Sequence, residues 1–450
     1  MTITQTRTLI APGELGYDEA REAFNLSLDQ RPAAVALPAD ADEVATVVRR
    51  ARERGLRVAP QRTGHAATPM GSLEDTVLLK TDAMQGVEID AEARRARVRA
   101  GAKWEDIVPQ LSELGLAALH GSAPDIGIVG YSLGGGMGWY SRKLGLQANS
   151  VTAIELVTAD GRLRRVDEQH GCELFWALRG GGGNFGVVTA IEFELYEISE
   201  VYAGVLFFPS ERSSEVLHAW REWLPGVPEE LTSVGRIMQF PPLPEMPEHL
   251  RGRSFAMVEA FYLGSEEDGA ELLRPLRELG PELDTLAMLP PVALAEIHMD
   301  PPEPVPYVGG HQLLSELPAE AVDSFVAAAG PESGSTLLSA EIRHTGGALG
   351  RTAPHHGAMA SMPGSFATFS VAMAMDEAGA AAGHADLARV ADALAPYDAG
   401  RSYSNFTEAQ ADAASFFPPE TVRRLEAVKS QYDPEDVFRA NHPITRKDQS

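Results

Sequence analysis

The chain has 450 residues, enough for roughly two or three domains and a sizeable core. Its 44% hydrophobic and 23% charged residues describe a globular protein, and no window approaches ~18 consecutive apolar residues, which excludes a transmembrane helix. A net charge of −26 argues against nucleic acid and anionic membrane as partners, and means that a polyanionic cofactor has to be held mainly by backbone amides.

Taken in order, the first residues carry neither the basic start nor the apolar core of a secretory leader, so the expected location is the cytoplasm. Asp40 or Asp42 is placed to cap a helix whose apolar face is Val44, Val47, Val48 and Ala51, and Gly55 ends it. A short strand over 56–59 leads into the turn-rich loop PQRTGHAATP, which carries His65. Residues 77–100 read as strands around a short turn. Trp104, Ile107, Val108, Leu111 and Leu114 follow at helical spacing, and 151–166 reads as a hairpin across Asp160–Gly161.

Between them lies GSAPDIGIVGYSLGGGMGW, residues 121–139. It has no lysine or arginine, and its one charge is Asp125. Glycine admits φ > 0 and lets backbone approach a ligand closely, so such a run can turn several N–H groups toward an anion. Taken alone, it is equally well read as a loop at a tight packing contact.

A second cluster, RGGGGNFGVV at 179–188, contains Gly181, Gly183 and Gly186 in the GxGxxG spacing of a dinucleotide fingerprint. The match fails on context. The fingerprint needs a strand before it and a helix after it, whereas here a helical 173–179 precedes an alternating strand over 187–196. Strands and helices thus mix without the strict βαβ repeat of a doubly wound sheet, and the fold class predicted is α+β.

Beyond residue 196 the texture changes. Prolines cluster at 241–247 and 290–306, and helical patterns over 213–223 and 266–279 sit among strand-like runs such as 254–263 and 366–375. The division expected is 1–200, 201–395 and 396–450, the last segment holding RSYSNF, a helix around 420–431 and YDPEDVFR. Glu341 and Arg343 stand two apart in a strand-like run and so share a face, either as a structural ion pair or as catalytic groups. Tyr403 and Asn405 share a face by the same count. The single cysteine, Cys172, precedes a helix that looks buried; it excludes an internal disulfide and is read as inert. His344, His355 and His356 fit no metal-ligand spacing.

The loop Gln61–His65, the 121–139 stretch, RGGGGNFGVVT and the C-terminal YxNF…YDPxxxFR occur in one order and spacing. Together they resemble the FAD-linked oxidases of the vanillyl-alcohol oxidase and p-cresol methylhydroxylase superfamily, berberine bridge enzyme-like branch. The resemblance is strong over 15–200 and 400–445, and weak in the middle through EIRHTGGALGR at 341–351. It implies an FAD-binding part of two α+β subdomains, completed by the returning C-terminus, and a substrate part whose antiparallel sheet, backed by helices, roofs the flavin.

By resemblance, His65 takes the position of the histidine bonded to the flavin 8α-methyl, and the amides of Arg62, Thr63 and Gly64 meet the pyrophosphate. Gly127, Gly130, Ser132, Gly135 and Gly136 line the phosphate and ribityl side. Asn184, Phe185, Gly186 and Val188 lie near the adenosine half or ring edge, and Tyr403 and Asn405 approach the ring. Tyr131 stands where some relatives place a histidine beside the ribityl chain and is counted with Tyr403, Glu341 and Arg343 among the catalytic candidates, and Ile126 faces the oxygen-reactive edge. Two departures are visible. Ala123-Pro124 replaces the Cys-Pro of doubly tethered relatives, so only the His65 bond is possible, and Met137 replaces a tyrosine often assigned to catalysis.

The activity implied is hydride transfer from an alcohol, amine or activated C–H of a secondary metabolite to covalently bound FAD, with O₂ as acceptor. Tyr403 or Glu341 would be the base, Tyr403 slightly the better and Glu341 the better orienter through Arg343. Alternatives are an oxygenase or oxidative cyclase on a polyketide-like intermediate, and a flavin carrier without turnover.

Overall fold

The computed structural model describes residues 9–244 and 246–445. The first unit is a three-stranded parallel sheet ordered Ala34–Ala36, Thr76–Lys80, Arg57–Gln61. The crossover helix Ala41–Glu53 is capped by Asp40, whose carboxylate accepts from Glu43 N at 2.9 Å. Its apolar positions recur every three to four residues, so Val44, Val47, Val48 and Ala51 all turn onto the sheet and are buried.

A second unit is a five-stranded antiparallel sheet ordered Val87–Asp90, Arg95–Arg99, Val187–Glu194, Val151–Val157, Leu163–Asp167. The predicted hairpin turns at Gly161, where φ is +71°. Helix Trp104–Glu113 shares a core with this sheet through Trp104, Ile107, Val108 and Leu111, while Leu114 lies just past its end and is exposed. The glycine run at 180–186 sits between helix Cys172–Leu178 and strand Val187–Glu194, in the reverse of the dinucleotide order. Cys172 is the first residue of that helix rather than ahead of it. Its thiol is exposed, because it falls on the turn that faces solvent while Leu174 and Phe175 face inward.

From Val201 onward the chain builds an eight-stranded antiparallel sheet. Six of its strands are Val201–Pro209, Ser254–Tyr262, Leu231–Gln239, Leu337–His344, Phe366–Met373 and, at the edge, Tyr307–Leu314, in that order. Alternation gives the sheet two faces. One packs on helices Ser213–Trp223, Glu266–Arg277, Ala319–Ala329 and Glu377–Leu394. The other carries Val234, Met257 and Phe261 down onto Leu119, Trp139 and Tyr140 of the glycine stretch. Trp139 stacks on Phe261 with centroids 3.9 Å apart. The sheet is thereby bolted over the glycine loop.

The C-terminal segment runs back to the start of the chain. Val58 N donates to Val437 O at 2.7 Å and Arg439 N to Val58 O at 2.9 Å, which adds a short parallel edge beside Arg57–Gln61. The Asn184 side chain pins the last turn, accepting from Ile444 N at 2.9 Å and donating to His442 O at 3.1 Å. Among the described residues no helix is long and apolar enough to cross a membrane.

Candidate functional site

One cleft, with ≈ 1610 Å³ of unfilled space opening to solvent, runs between the first two sheets, the returning C-terminus and the underside of the eight-stranded sheet. Three predicted segments meet there: 60–67, 121–137 and 180–188. The fourth wall is Tyr403–Phe406 with Arg439–His442, and Arg343 reaches in from above.

The loop after Gln61 is shaped as a cradle. Among the described residues the Thr63, Gly64, His65 and Ala66 amides have no acceptor, while Thr63 O accepts from Phe24 N at 2.9 Å. Gly64 has φ +84°, and a Cβ there would stand 2.8 Å from Ala23 Cβ, so only glycine lets the loop lie this close to its support. Free amides in sequence form a nest for an anion. The lining cations are Arg62, Arg343 and Arg439. Arg62 is committed to Asp82 at 2.7 Å and Arg343 to Glu341 at 2.6 Å. Arg439 donates to the Met70 carbonyl, Nη2 at 2.5 Å, and among the described residues no carboxylate answers its charge. The sequence reading passed over it, although YDPEDVFR contains it.

His65 is clamped on three sides. Phe24 stacks on the imidazole at 3.8 Å and 17°, Thr63 Oγ1 lies 2.8 Å from Nδ1, and Asp125 Oδ2 lies 3.4 Å from Nε2. Burial and the charge of Lys103 drive its pKa down to about 3, so the ring is neutral at physiological pH. Asp125, for its part, is pushed up to about 6 by burial, against its own backbone amide and Lys103.

Across the cleft, Tyr403 is buried and its hydroxyl oxygen accepts from Met137 N at 2.9 Å and from Asn405 Nδ2 at 3.1 Å. Two N–H donors already point at that oxygen, no acceptor for its own proton lies among the described residues, and Tyr403 lines the cleft. Burial raises its pKa to about 12, opposed by the amides of Met137, Asn405 and Gly136 and by Arg343. His311 backs it, its Nε2 accepting from Tyr403 N at 3.1 Å. His311 carries no sequence signal; it is read only once strand Tyr307–Leu314 is placed.

Above Tyr403 lies a wholly buried charge network. His298 Nδ1 is 2.7 Å from Glu259 Oε2, and its Nε2 is 3.0 Å from both Glu341 Oε2 and Arg343 Nη2. Arg236 reaches Glu259 at 3.1 Å. Burial and Arg236 disfavour the imidazolium, but Glu259, Glu341 and Asp300 outweigh them and lift His298 to about 9. At neutral pH the ring is therefore a cation between the two carboxylates. Glu341 is held well below the ordinary carboxylate range; burial opposes this, and Arg343 and His298 overcome it.

Several expected placements are corrected. Glu341 does not line the cleft; it is 1% exposed and its Oε1 is taken by Arg343. The Tyr131 ring lines the wall, but its hydroxyl donates to Leu119 O at 2.9 Å, a structural bond that removes it from proton transfer. Ser132 spends its hydroxyl on Ile128 O one helical turn back, at 2.8 Å. Gly135 and Gly136 face inward, where a Cβ would meet Met359 and Tyr403 in one case and Tyr131 and Gln147 in the other. Asn184 is the C-terminal pin and Phe185 is core. Arg62, Thr63, Gly64, His65, Gly127, Gly130, Gly186, Val188, Arg343, Tyr403 and Asn405 all reach the cleft, as does Ile126. Gly134, not singled out beforehand, is where the wall touches Asn405: a Cβ there would overlap its amide oxygen. Among the described residues no group of three potential metal ligands forms.

Comparison with known proteins places two family models on the chain: an FAD binding domain over residues 32–167 and a berberine and berberine-like segment over 402–445. (R)-6-hydroxynicotine oxidase of Paenarthrobacter nicotinovorans is 29% identical over 97% of this chain and 96% of its own length. Xylooligosaccharide oxidase of Thermothelomyces thermophilus is 36% identical over 46% of this chain and 44% of its own. BBE-like 1 of Physcomitrella patens superposes with a TM-score of 0.85 at 20% identity, covering 98% of this chain and 97% of that one, a likeness of fold.

Proposed function

We propose that this chain, which belongs to the berberine bridge enzyme-like branch of the FAD-linked oxidoreductases, is an oxidase. Its substrate would be a small organic alcohol, amine or sugar, its cofactor a flavin tethered once, at His65, and its electron acceptor dioxygen. On this reading, residues 1–200 and 396–450 hold the cofactor and 201–395 supply the substrate face. The residues present fit FAD: free amides at 63–66 and the charge of Arg439 suit a pyrophosphate, glycines 127, 130, 134 and 186 line the cleft, and a Cβ at Gly130 would meet nothing. When bound, FAD supplies hydride acceptance and the reduction of dioxygen.

The chain's own contribution begins at Tyr403. In its ionised form, the minor one below about pH 12, Tyr403 would take the proton of a substrate hydroxyl or amine within hydrogen-bond reach as the C–H bond breaks. The Met137 and Asn405 N–H groups already point at that oxygen, so negative charge developing on it needs no reorganisation. Arg343 sits between the Trp139 and Phe406 rings, its guanidinium carbon 5.5 and 5.1 Å from their centroids. It presents guanidinium N–H groups on the substrate side, with its charge balanced by Glu341. Glu341, His298 and Glu259 hold that guanidinium in place, so Glu341 acts as a positioning residue and not as the base. Ile126 lines the wall next to the His65 loop and is the residue whose size would set oxygen access.

The observation that carries this reading is the Tyr403 hydroxyl, loaded with two donors and facing a roofed cleft. A flavin carrier needs no such roof. Anaerobic mixing of the purified flavoprotein with panels of alcohols, amines and oligosaccharides, followed by admission of air, tests it. Bleaching by one class and rapid recovery of the oxidised spectrum with release of hydrogen peroxide are expected. Reoxidation no faster than that of free flavin would make the protein a dehydrogenase, and incorporation of labelled oxygen into product would make it an oxygenase.

A further inference from the structure

We infer that Asp125 is the group that receives the Nε2 proton of His65 when the histidine becomes joined to the flavin, leaving Nδ1 as the nitrogen that forms the bond; this rests on the His65 tether proposed above. The two carboxylate oxygens of Asp125 are the starting point. Asp125 is the one charge in the glycine stretch, it is 8% exposed, and its Oδ1 is buried without a hydrogen-bond partner. A buried carboxylate left unpartnered costs stability unless it has a task. The other oxygen lies 3.4 Å from His65 Nε2, a few tenths of an ångström beyond an ordinary hydrogen bond. The backbone is braced on both sides of it, Glu105 N donating to Pro124 O at 2.8 Å and Trp104 N to Ile126 O at 3.2 Å.

The imidazole is set up to match. With Nε2–H facing Asp125, Nδ1 holds the lone pair; the Thr63 hydroxyl 2.8 Å away donates to it and has to turn aside as the C–N bond forms. Phe24 fixes the plane of the ring. Asp125 does not line the cleft, whereas His65 does, so the carboxylate works from behind.

In the reaction, a C–N bond forms between Nδ1 and the methyl carbon on the flavin's benzene ring. The methyl loses one proton and Nε2 loses the other, to Asp125, so the linked imidazole stays neutral. The two electrons released remain on the flavin ring until dioxygen takes them with two protons as hydrogen peroxide. Net, the methyl and the imidazole each give up one hydrogen and one O₂ becomes H₂O₂. Without an acceptor at Nε2 the linked ring would be a cation in a buried site next to Lys103, which is the state that already drives its proton affinity down.

The test is reconstitution of the full-length apoprotein with FAD in air. Covalent flavin is read by acid precipitation and intact mass, and non-covalent flavin by gel filtration at neutral pH. Asp125→Asn is expected to bind one FAD per chain but to link it at least about tenfold more slowly, and Asp125→Glu to recover part of the rate. The charged and titratable groups facing Asp125 are Lys103, Glu105, Asp300 and His65. His65 stays neutral throughout, so the wild-type linking rate should fall as the pH drops through about 6, where Asp125 takes up a proton, and the Asn variant should show no such fall. A wild-type rate in Asp125→Asn overturns the inference. If that variant fails to bind FAD, the wild-type profile decides alone, and a rate flat across the region around pH 6 overturns it. Wild-type protein that releases all its FAD on acid treatment removes the tether reading itself, a different result from a tether that forms without Asp125.

Discussion

Replacing Tyr403 by Phe deletes one oxygen and nothing else. That oxygen accepts from Met137 N and Asn405 Nδ2, so two donors lose a partner. Asn405 Nδ2 keeps a second acceptor, Tyr131 O at 3.0 Å, and only the buried Met137 amide is stranded. An unsatisfied buried N–H costs about 1–3 kcal/mol, and that is the expected loss of folding stability. The chemical loss is larger. A positioned base is worth roughly 10²–10⁴ in rate, or about 3–5 kcal/mol of barrier. Urea unfolding measures the first quantity and anaerobic stopped-flow reduction the second, with a substrate found to reduce the wild type. Because Tyr403 titrates near 12, the wild-type reduction rate should also climb with pH through the neutral and alkaline range, and the Phe variant should not follow. A Phe variant that reduces its flavin within about threefold of the wild type refutes the assignment. One that loses its FAD altogether shows that the hydroxyl holds the cleft together and leaves no case for it as a base.

Three other outcomes are expected. His65→Ala should release its flavin on acid precipitation, whereas the wild type should keep the colour and exceed the chain mass by one FAD. Gly134→Ala puts a methyl on the Asn405 amide, so flavin fluorescence titration should show weaker FAD binding while the fold persists. The His298 network gives a pH signature. Its folded pKa near 9 lies above an unfolded value near 6.5, so its stabilisation, on the order of 3 kcal/mol, is complete below about 6.5 and is lost as pH rises through 9. Glu341, lowered in the fold, sets the opposite edge, giving stability present above its unfolded value near 4.5 and lost in acid. Urea midpoints should therefore peak between these limits, and His298→Leu, which leaves Glu259 only Arg236 and Glu341 only the two arginines, should lower the peak by about 3 kcal/mol.

What the sequence made legible follows from range. The Asp40 cap, the Gly161 turn and the alternation in 187–194 are decided within a few residues, so they read directly from the chain. The rejection of the GxGxxG match also rested on local order. Facing directions inside the glycine run were not legible. Gly134 and Gly135 are neighbours, yet one borders the cleft and the other packs on Met359, a choice made by Asn405 and Tyr403 some 270 residues away along the chain. Ser132 is placed at the cofactor by resemblance, but on a helix a serine can spend its proton on the carbonyl four residues back. His298 and Glu259 left no trace at all, since Glu259 stands on strand Ser254–Tyr262 and His298 in the loop ahead of strand Tyr307–Leu314, and the two meet only in the folded chain.

The charge balance joins these points. A chain of net charge −26 repels a cofactor with two phosphates at long range, so its cleft has to overcome that repulsion locally. Two of its three lining arginines are already neutralised, Arg62 by Asp82 and Arg343 by Glu341. What remains is Arg439 and a row of free amides, dipoles that act only at contact distance. Such a site is selective in shape but modest in non-covalent hold. A bond through His65 fits that setting, because it makes retention of the cofactor independent of the surrounding field. Asp125 is then tolerable in a loop that meets an anion only because it sits behind the histidine, screened from the cleft and half-titrated near pH 6. The same carboxylate moved to the cleft face would oppose the phosphate that the glycines were shaped to admit.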